Sequence, residues 1–146
     1  MKFLTSLNLF VLSVSLSSHA DIDSAEQLYK VNQDYAKCLD VTLGNFTSDV
    51  QAQKAMSKFY RAITVNTDKI LGLQLQANDE AMQTLLEMLQ DRQILLGYMV
   101  AKMSEPDKAF EIEKGKLKKA YDFDWKLVHQ ELWTTNGCNA IYRSLN

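Results

Sequence analysis

Apolar side chains recur at three- and four-residue steps along four long segments of the chain, the spacing that places them on one face of an α-helix. The first segment opens at Ser24 and the second at Ser48, and a glutamine follows each serine three positions later, the pattern of a capping box. The third opens at Asp79 and the fourth at Pro106, a residue that suits the first turn of a helix. The pattern therefore predicts helices over residues 24–43, 48–76, 79–103 and 106–135.

Residues that interrupt helices are scarce, with five glycines and one proline in 146 residues. Strands need turns every few residues, and turns use clusters of Gly, Pro, Asn and Asp. We therefore predict an all-α protein. The short connections between the predicted helices favour antiparallel neighbours, and hence an antiparallel helical bundle of four to five helices.

The two cysteines restrict how this bundle closes. Cys38 lies near the end of the first predicted helix and Cys138 lies near the C-terminus. One straight antiparallel fourth helix would carry Cys138 about 30 Å away from Cys38, whereas a disulfide needs α-carbons within about 7 Å. A C-terminal segment that folds back, a different order of the helices, or a bond between two chains in a homodimer would each resolve the conflict.

We expect the first of these arrangements, in which the C-terminal segment folds back and a disulfide ties it to the first helix. The bend is expected near Gly115 or within residues 120–125, where Asp122 or Asp124 would cap a fifth helix. A disulfide between Cys38 and Cys138 in one chain would close a loop of about 100 residues.

The first twenty residues are typical of a secretory signal peptide. Lys2 precedes an apolar run over residues 4–16, and Ser18-His19-Ala20 places small residues at the two positions that a signal peptidase recognises. The run is too short to span a bilayer, which takes about 20 apolar residues. We predict a signal peptide over residues 1–20, one domain over residues 21–146, a periplasmic or secreted location, and no membrane span. Cysteines in such an oxidising compartment most often pair.

Charge and motifs argue against several classes of function. A net charge of −2 lacks the basic excess of nucleic-acid-binding proteins, so we predict no nucleic-acid partner. Beyond the signal the only histidine is His129, and neither C-x-x-C-H nor G-x-S-x-G occurs. We predict that the protein is not an enzyme and has no catalytic residues, no metal and no cofactor. One alternative is a bundle that binds a small apolar ligand, or haem through His129 and one of Met56, Met82, Met88, Met99 and Met103. Another is a hydrolase with an unrecognised carboxylate site.

Two groups of residues in the C-terminal third are candidates for an interface with another protein. The lysines Lys114, Lys116, Lys118 and Lys119 form either a solvated face or a docking patch for an acidic protein surface. The aromatic candidates are Trp125, Trp133 and Tyr142. On a continuous helix Phe123 and Trp125 would point about 160° apart. This segment is then either buried on two sides or has one exposed ring, and we expect burial.

These features favour an exported small helical protein-binding module, of the immunity or inhibitor type that acts against a toxin or hydrolase. The basis is a scaffold held by one disulfide, with basic and aromatic candidates on its surface. An accessory assembly factor of an envelope machine, such as a secretion system or pilus, is an alternative with the same surface features.

Overall fold

The computed structural model describes residues 19–145, and side chains from Ser24 onwards. Within residues 19–145 the chain forms seven α-helices, one 3-10 turn and no strand, which confirms the all-α prediction. The helices are α1 (His19–Asp40), α2 (Asp49–Gln76), α3 (Glu80–Leu89), α4 (Arg92–Met103), α5 (Lys108–Ala120), α6 (Trp125–Thr135) and α7 (Cys138–Ser144), and the 3-10 turn is Thr42–Gly44. The predicted number of four to five helices is not confirmed. The signal peptide predicted over residues 1–20 lies almost entirely outside the described residues.

α1 and α2 form an antiparallel hairpin, the most extensive helix pair of the described chain. Asn32 Nδ2 donates a hydrogen bond to Thr67 Oγ1 at 3.2 Å, and farther along the pair the ring of Tyr35 meets that of Phe59, with centroids 6.5 Å apart. Asn32 and Thr67 are both fully buried, so a polar pair lies within an otherwise apolar interface. Such pairs can fix the register of two helices.

The starts of these two helices differ in how well the sequence predicts them. α2 begins as predicted, because Ser48 Oγ accepts a hydrogen bond from the backbone N–H of Gln51 at 3.3 Å. α1 begins at His19, so Ser24 lies inside the helix rather than at its start. The residues before Ser24 include neither Gly nor Pro, and the helix therefore continues through them.

The third predicted helix is wrong, because the segment forms two helices. Gln90 adopts the left-handed conformation with φ 55°, and Asp91 caps α4 by accepting from the backbone N–H groups of Gln93 (2.6 Å) and Ile94 (3.3 Å). The break returns α4 along α2 and completes a buried cluster of Ile70, Leu71, Met82, Leu95 and Met99.

The fourth predicted segment breaks at residues 121–124, one of the two predicted bends, whereas Gly115 lies inside α5. Asp124 Oδ1 accepts from the backbone N–H groups of Lys126 (3.0 Å) and Leu127 (3.2 Å) and caps α6, as predicted. α6 packs on the 3-10 turn, and α7 reaches back to α2. The C-terminal segment therefore folds back.

Cys38 and Cys138 form a disulfide within the chain, with α-carbons 5.5 Å apart, which confirms the predicted link between α1 and the C-terminal segment. We call α7 and this bond the clasp. The bond lies in a second buried cluster, made of Cys38, Val41, Phe59, Phe110, Val128, Leu132, Trp133 and Cys138. A buried disulfide indicates an oxidising environment. None of the described helices combines the length and apolar character that crossing a bilayer requires.

Candidate functional site

The connection between α5 and α6 is a tight elbow, residues 121–124, with two residues in the left-handed region. Asp122 has φ 48° and Phe123 has φ 66°. The N–H of Phe123 donates to the Lys118 carbonyl at 2.8 Å and that of Asp122 to the Lys119 carbonyl at 3.4 Å, the two bonds of a Schellman motif. Glycine is the usual residue after such a helix end, because a side chain there costs of order 1–3 kcal/mol. The elbow therefore retains strain that a glycine would relieve.

Phe123 and Trp125 extend from the elbow into solvent, with 59% and 44% of their surfaces exposed. The ammonium nitrogen of Lys118 lies 5.1 Å from the ring centroid of Phe123 and 4.5 Å from that of Trp125. We call these three side chains the elbow patch. Within residues 24–145 no carboxylate lies at ion-pair distance from Lys118 Nζ. The two rings thus hold a cation that has no acidic partner in the described chain.

The expected burial of Phe123 and Trp125 is wrong, because the angle of about 160° between the two side chains holds only when both lie in one helix. Phe123 lies in the elbow, where the chain is not helical, so its ring and that of Trp125 reach the same lysine. Phe123 was absent from the predicted interface, and the signal that could have identified it is its position between Asp122 and Asp124. Two aspartates in three residues favour a break over a helix interior.

The four lysines predicted as one patch have different roles. Lys114 Nζ pairs with Asp40 at the end of α1 and with Glu111 on α5, both at 2.8 Å. Burial opposes the charged form of Lys114, but hydrogen bonds to these two carboxylates outweigh it and raise the pKa of Lys114. Lys114 therefore tethers α5 to α1 and is removed from the predicted interface. Lys116 and Lys119 are exposed and form no ion pair within the described chain.

Trp133 and Tyr142 pack in or against the buried cluster around the disulfide and do not form an open surface. Trp133 is only 4% exposed, and the ring of Phe46 meets it edge-on with centroids 5.5 Å apart. Tyr142 is half-buried beneath Lys58, whose Nζ lies 5.1 Å from its ring centroid and donates to the Leu145 carbonyl at 2.7 Å. The fold-back buries Trp133 against α2, so it cannot serve as the interface anchor that we predicted.

α6 is fixed against the 3-10 turn by close backbone contact. A β-carbon added to Gly44 would lie 2.5 Å from the β-carbon of His129, so only glycine fits there without a shift. Asn45 Nδ2 donates to the carbonyls of Val41 (2.8 Å) and His129 (3.0 Å). Residues 45–47 match the N-glycosylation pattern, but the Asn45 amide is already engaged in joining the turn to α6.

His129 has a structural environment rather than that of a ligand-binding residue. Burial lowers its pKa; the charge of Asp40 opposes this and that of Lys114 adds to it. Among the described residues, no group of three or more His, Cys, Asp or Glu side chains is arranged to hold a metal ion. Three of the candidate haem ligands, Met82, Met99 and Met103, pack in or against the buried cluster of α2, α3 and α4 that contains Ile70 and Leu95.

An open depression lies between α2 and the start of α4. It is lined by Thr64, Val65, Asp68, Lys69, Arg92, Gln93 and Leu96, and most of the lining surface is apolar. Arg92 pairs with Asp68 at 2.7 Å across it. The depression is wide open to solvent and does not enclose a ligand.

Comparisons of the chain with models of protein families, with curated proteins and with solved structures found no match. The elbow patch is therefore the feature on which a functional proposal can be built. It combines exposed aromatic surface, an unpaired cation and backbone strain at one point of the molecule.

Proposed function

We propose that this protein is exported and binds another protein through the elbow patch, without catalysing a reaction. The observation that carries the proposal is the exposed pair of Phe123 and Trp125 around the unpaired ammonium of Lys118. Tryptophan and other large aromatic residues are common anchors of protein interfaces. Strained backbone also tends to persist where function needs it.

The surroundings of the patch support this proposal, because they hold it rigid. Lys37 pairs with Asp107 at the start of α5 at 3.1 Å, and Lys114, about two turns farther along α5, pairs with Asp40. α6 is held by Asn45, and the disulfide closes the same end of the molecule. A surface that is already ordered loses less conformational entropy on binding.

Within this class we propose an immunity or inhibitor role against a toxin or hydrolase in the periplasm or outside the cell. The signal pattern over residues 1–20 and the disulfide support export. An accessory assembly factor of an envelope machine would use the same patch, and the identity of the partner distinguishes the two. The runner-up from another class, a haem or apolar-ligand bundle, has weaker support, since three of its candidate methionines pack away from the cluster that contains α6.

Capture from envelope extract by matched variants tests the proposal. The elbow variant carries Phe123→Ser with Trp125→Ser, and the control carries Ile94→Ser with Tyr98→Ser on α4, where exposure is similar at 55% and 39%. We expect the wild type and the control to retain one stoichiometric partner. The elbow variant should retain it at least tenfold more weakly, because losing anchors of this kind costs about 2 kcal/mol or more.

Circular dichroism of all three proteins verifies that each is folded. A partner that the elbow variant retains and the α4 control loses would place the interface on α4 and overturn the proposal. Capture of no stoichiometric partner, together with a Soret band in the purified protein that His129→Ala abolishes, would favour the haem alternative.

A further inference from the structure

The ammonium of Lys118 is positioned by aromatic rings instead of by an acid. Its Nζ lies within cation–π distance of Phe123 and Trp125 and, in the described chain, forms neither a hydrogen bond nor an ion pair. A cation–π contact fixes the position of an ammonium without using its N–H donors. Lys118 can therefore donate to an acceptor that another molecule supplies.

The charges around the patch favour an anionic acceptor. Lys119 in the last turn of α5 and Lys126 in the first turn of α6 are close to it in the chain, are exposed and have no ion pair within residues 24–145. The two nearby acids, Asp122 and Asp124, are both exposed, and Asp124 also accepts the backbone hydrogen bonds that cap α6. The chain as a whole carries a net charge of −2. The basic character is thus local to the elbow.

We infer that the elbow patch binds an acidic segment of the partner protein. One carboxylate of that segment receives hydrogen bonds from Lys118 Nζ, while a neighbouring apolar side chain packs on Phe123 and Trp125. This inference rests on the proposed function and specifies the chemistry of its partner. The rings cover part of the ammonium, and its hydrogen bond to a carboxylate is charge-assisted and therefore stronger than one between neutral groups.

An acidic protein segment fits the patch better than an anionic membrane does. Asp122 and Asp124 lie on either side of Phe123 in the chain. If the ring inserted into a bilayer, both carboxylates would be pressed towards anionic head groups, which repel them. A protein segment can instead place its carboxylate on Lys118 and direct uncharged atoms towards the aspartates.

Peptide titration followed by two-dimensional NMR tests the inference on the full-length mature protein. The probe is a blocked peptide of sequence Glu-Leu-Asp-Phe-Glu, and its matched control is Gln-Leu-Asn-Phe-Gln. The indole N–H signal of Trp125 reports on the patch, and that of the buried Trp133 is an internal reference. We expect the acidic peptide to shift the Trp125 signal and leave Trp133 unchanged, and the shift to weaken with added salt.

Charge variants identify the lysine responsible. Lys118→Gln should weaken binding of the acidic peptide at least threefold, and Lys118→Arg should retain it, since arginine preserves both the charge and the ring contact. Lys54→Gln changes the net charge equally at an exposed, unpaired position on α2 and should alter the affinity by less than twofold.

The possible outcomes separate this inference from the proposed function. Equal binding of the neutral peptide would overturn the inference that the partner supplies an acidic segment. It would not contradict protein binding at the elbow patch, because capture from envelope extract tests that independently. Absence of any Trp125 shift at millimolar acidic peptide would also overturn it. Anionic phosphatidylglycerol vesicles that shift the fluorescence of Trp125 when the peptide does not would also overturn it. Broadening of the Trp125 signal that depends on protein concentration alone would overturn it too, because it indicates that a second copy of the chain binds.

Discussion

Removal of the covalent bond in the clasp should lower the free energy of unfolding by about 4–5 kcal/mol. The disulfide joins residues 100 positions apart, and in the chain-entropy model a loop of that length is worth about 4.7 kcal/mol. The perturbation is Cys38→Ala with Cys138→Ala, because both residues are fully buried and serine would bury a hydroxyl. A domain has a total stability of about 5–15 kcal/mol, so a third or more of the stability depends on this bond.

The same substitution has a local consequence that can reduce this loss. α7 has seven residues, too few to persist as an isolated helix. Without the bond it is held chiefly by apolar packing against the buried cluster that contains Phe59 and Trp133, and by Lys58, which donates to the Leu145 carbonyl and lies over Tyr142. If these contacts are insufficient, α7 undocks before the rest unfolds. Trp133, which shares that cluster, would then report an earlier transition than the helices as a whole.

Urea unfolding measured by tryptophan fluorescence and by far-ultraviolet circular dichroism distinguishes these cases. Coincident transitions with a loss of about 4–5 kcal/mol fit a clasp that stays docked, and an earlier fluorescence transition fits local undocking. Coincident transitions with a loss below about 2 kcal/mol would contradict the loop-closure reasoning. Because both sulfurs are buried, the native wild type should also resist reductant until urea unfolds it.

Three further predictions concern the elbow and the contact between Gly44 and His129. Gly44→Ala should destabilise the protein by about 1–3 kcal/mol in urea unfolding, since the new β-carbon meets His129 at 2.5 Å. The control Gly115→Ala, with no atom within 4 Å of its new β-carbon, should stabilise it by about 0.5–1 kcal/mol, and equal effects would contradict the contact. Asp122→Gly should raise the free energy of unfolding by about 0.5–1 kcal/mol in thermal denaturation, because φ 48° suits glycine. A lower free energy of unfolding would mean that the aspartate side chain stabilises the fold by more than the backbone strain costs. His129, with its pKa lowered mainly by burial, should make stability fall as the pH drops below about 6.5, the value in the unfolded chain, and through the lower folded value. His129→Gln should remove the difference in unfolding free energy between pH 8 and pH 5.5, and a difference that persists would assign it to other groups.

The parts of the fold that follow from the sequence are those governed by local signals or by covalent geometry. The start of α2 at Ser48 needs only a capping side chain, and the fold-back follows from the reach of a disulfide. The break at Gln90 was missed because periodicity is unchanged across it. The break lets Met82 of α3 and Leu95 of α4 pack in one cluster with Ile70 of α2, and such contacts between helices are not visible in the periodicity. Lysine partners were missed for the same reason, since Asp40 is 74 positions away from Lys114.

The disulfide and the elbow patch are linked through chain geometry. Cys138 reaches Cys38 through a turn of the chain between α5 and α6, and in this turn Asp122 and Phe123 adopt the left-handed conformation. Phe123 is exposed because it lies in this turn. In a monomer with an uninterrupted helix through this segment, Phe123 and Trp125 would diverge and could not share Lys118. The constraint that closes the fold therefore also assembles the surface to which we assign binding.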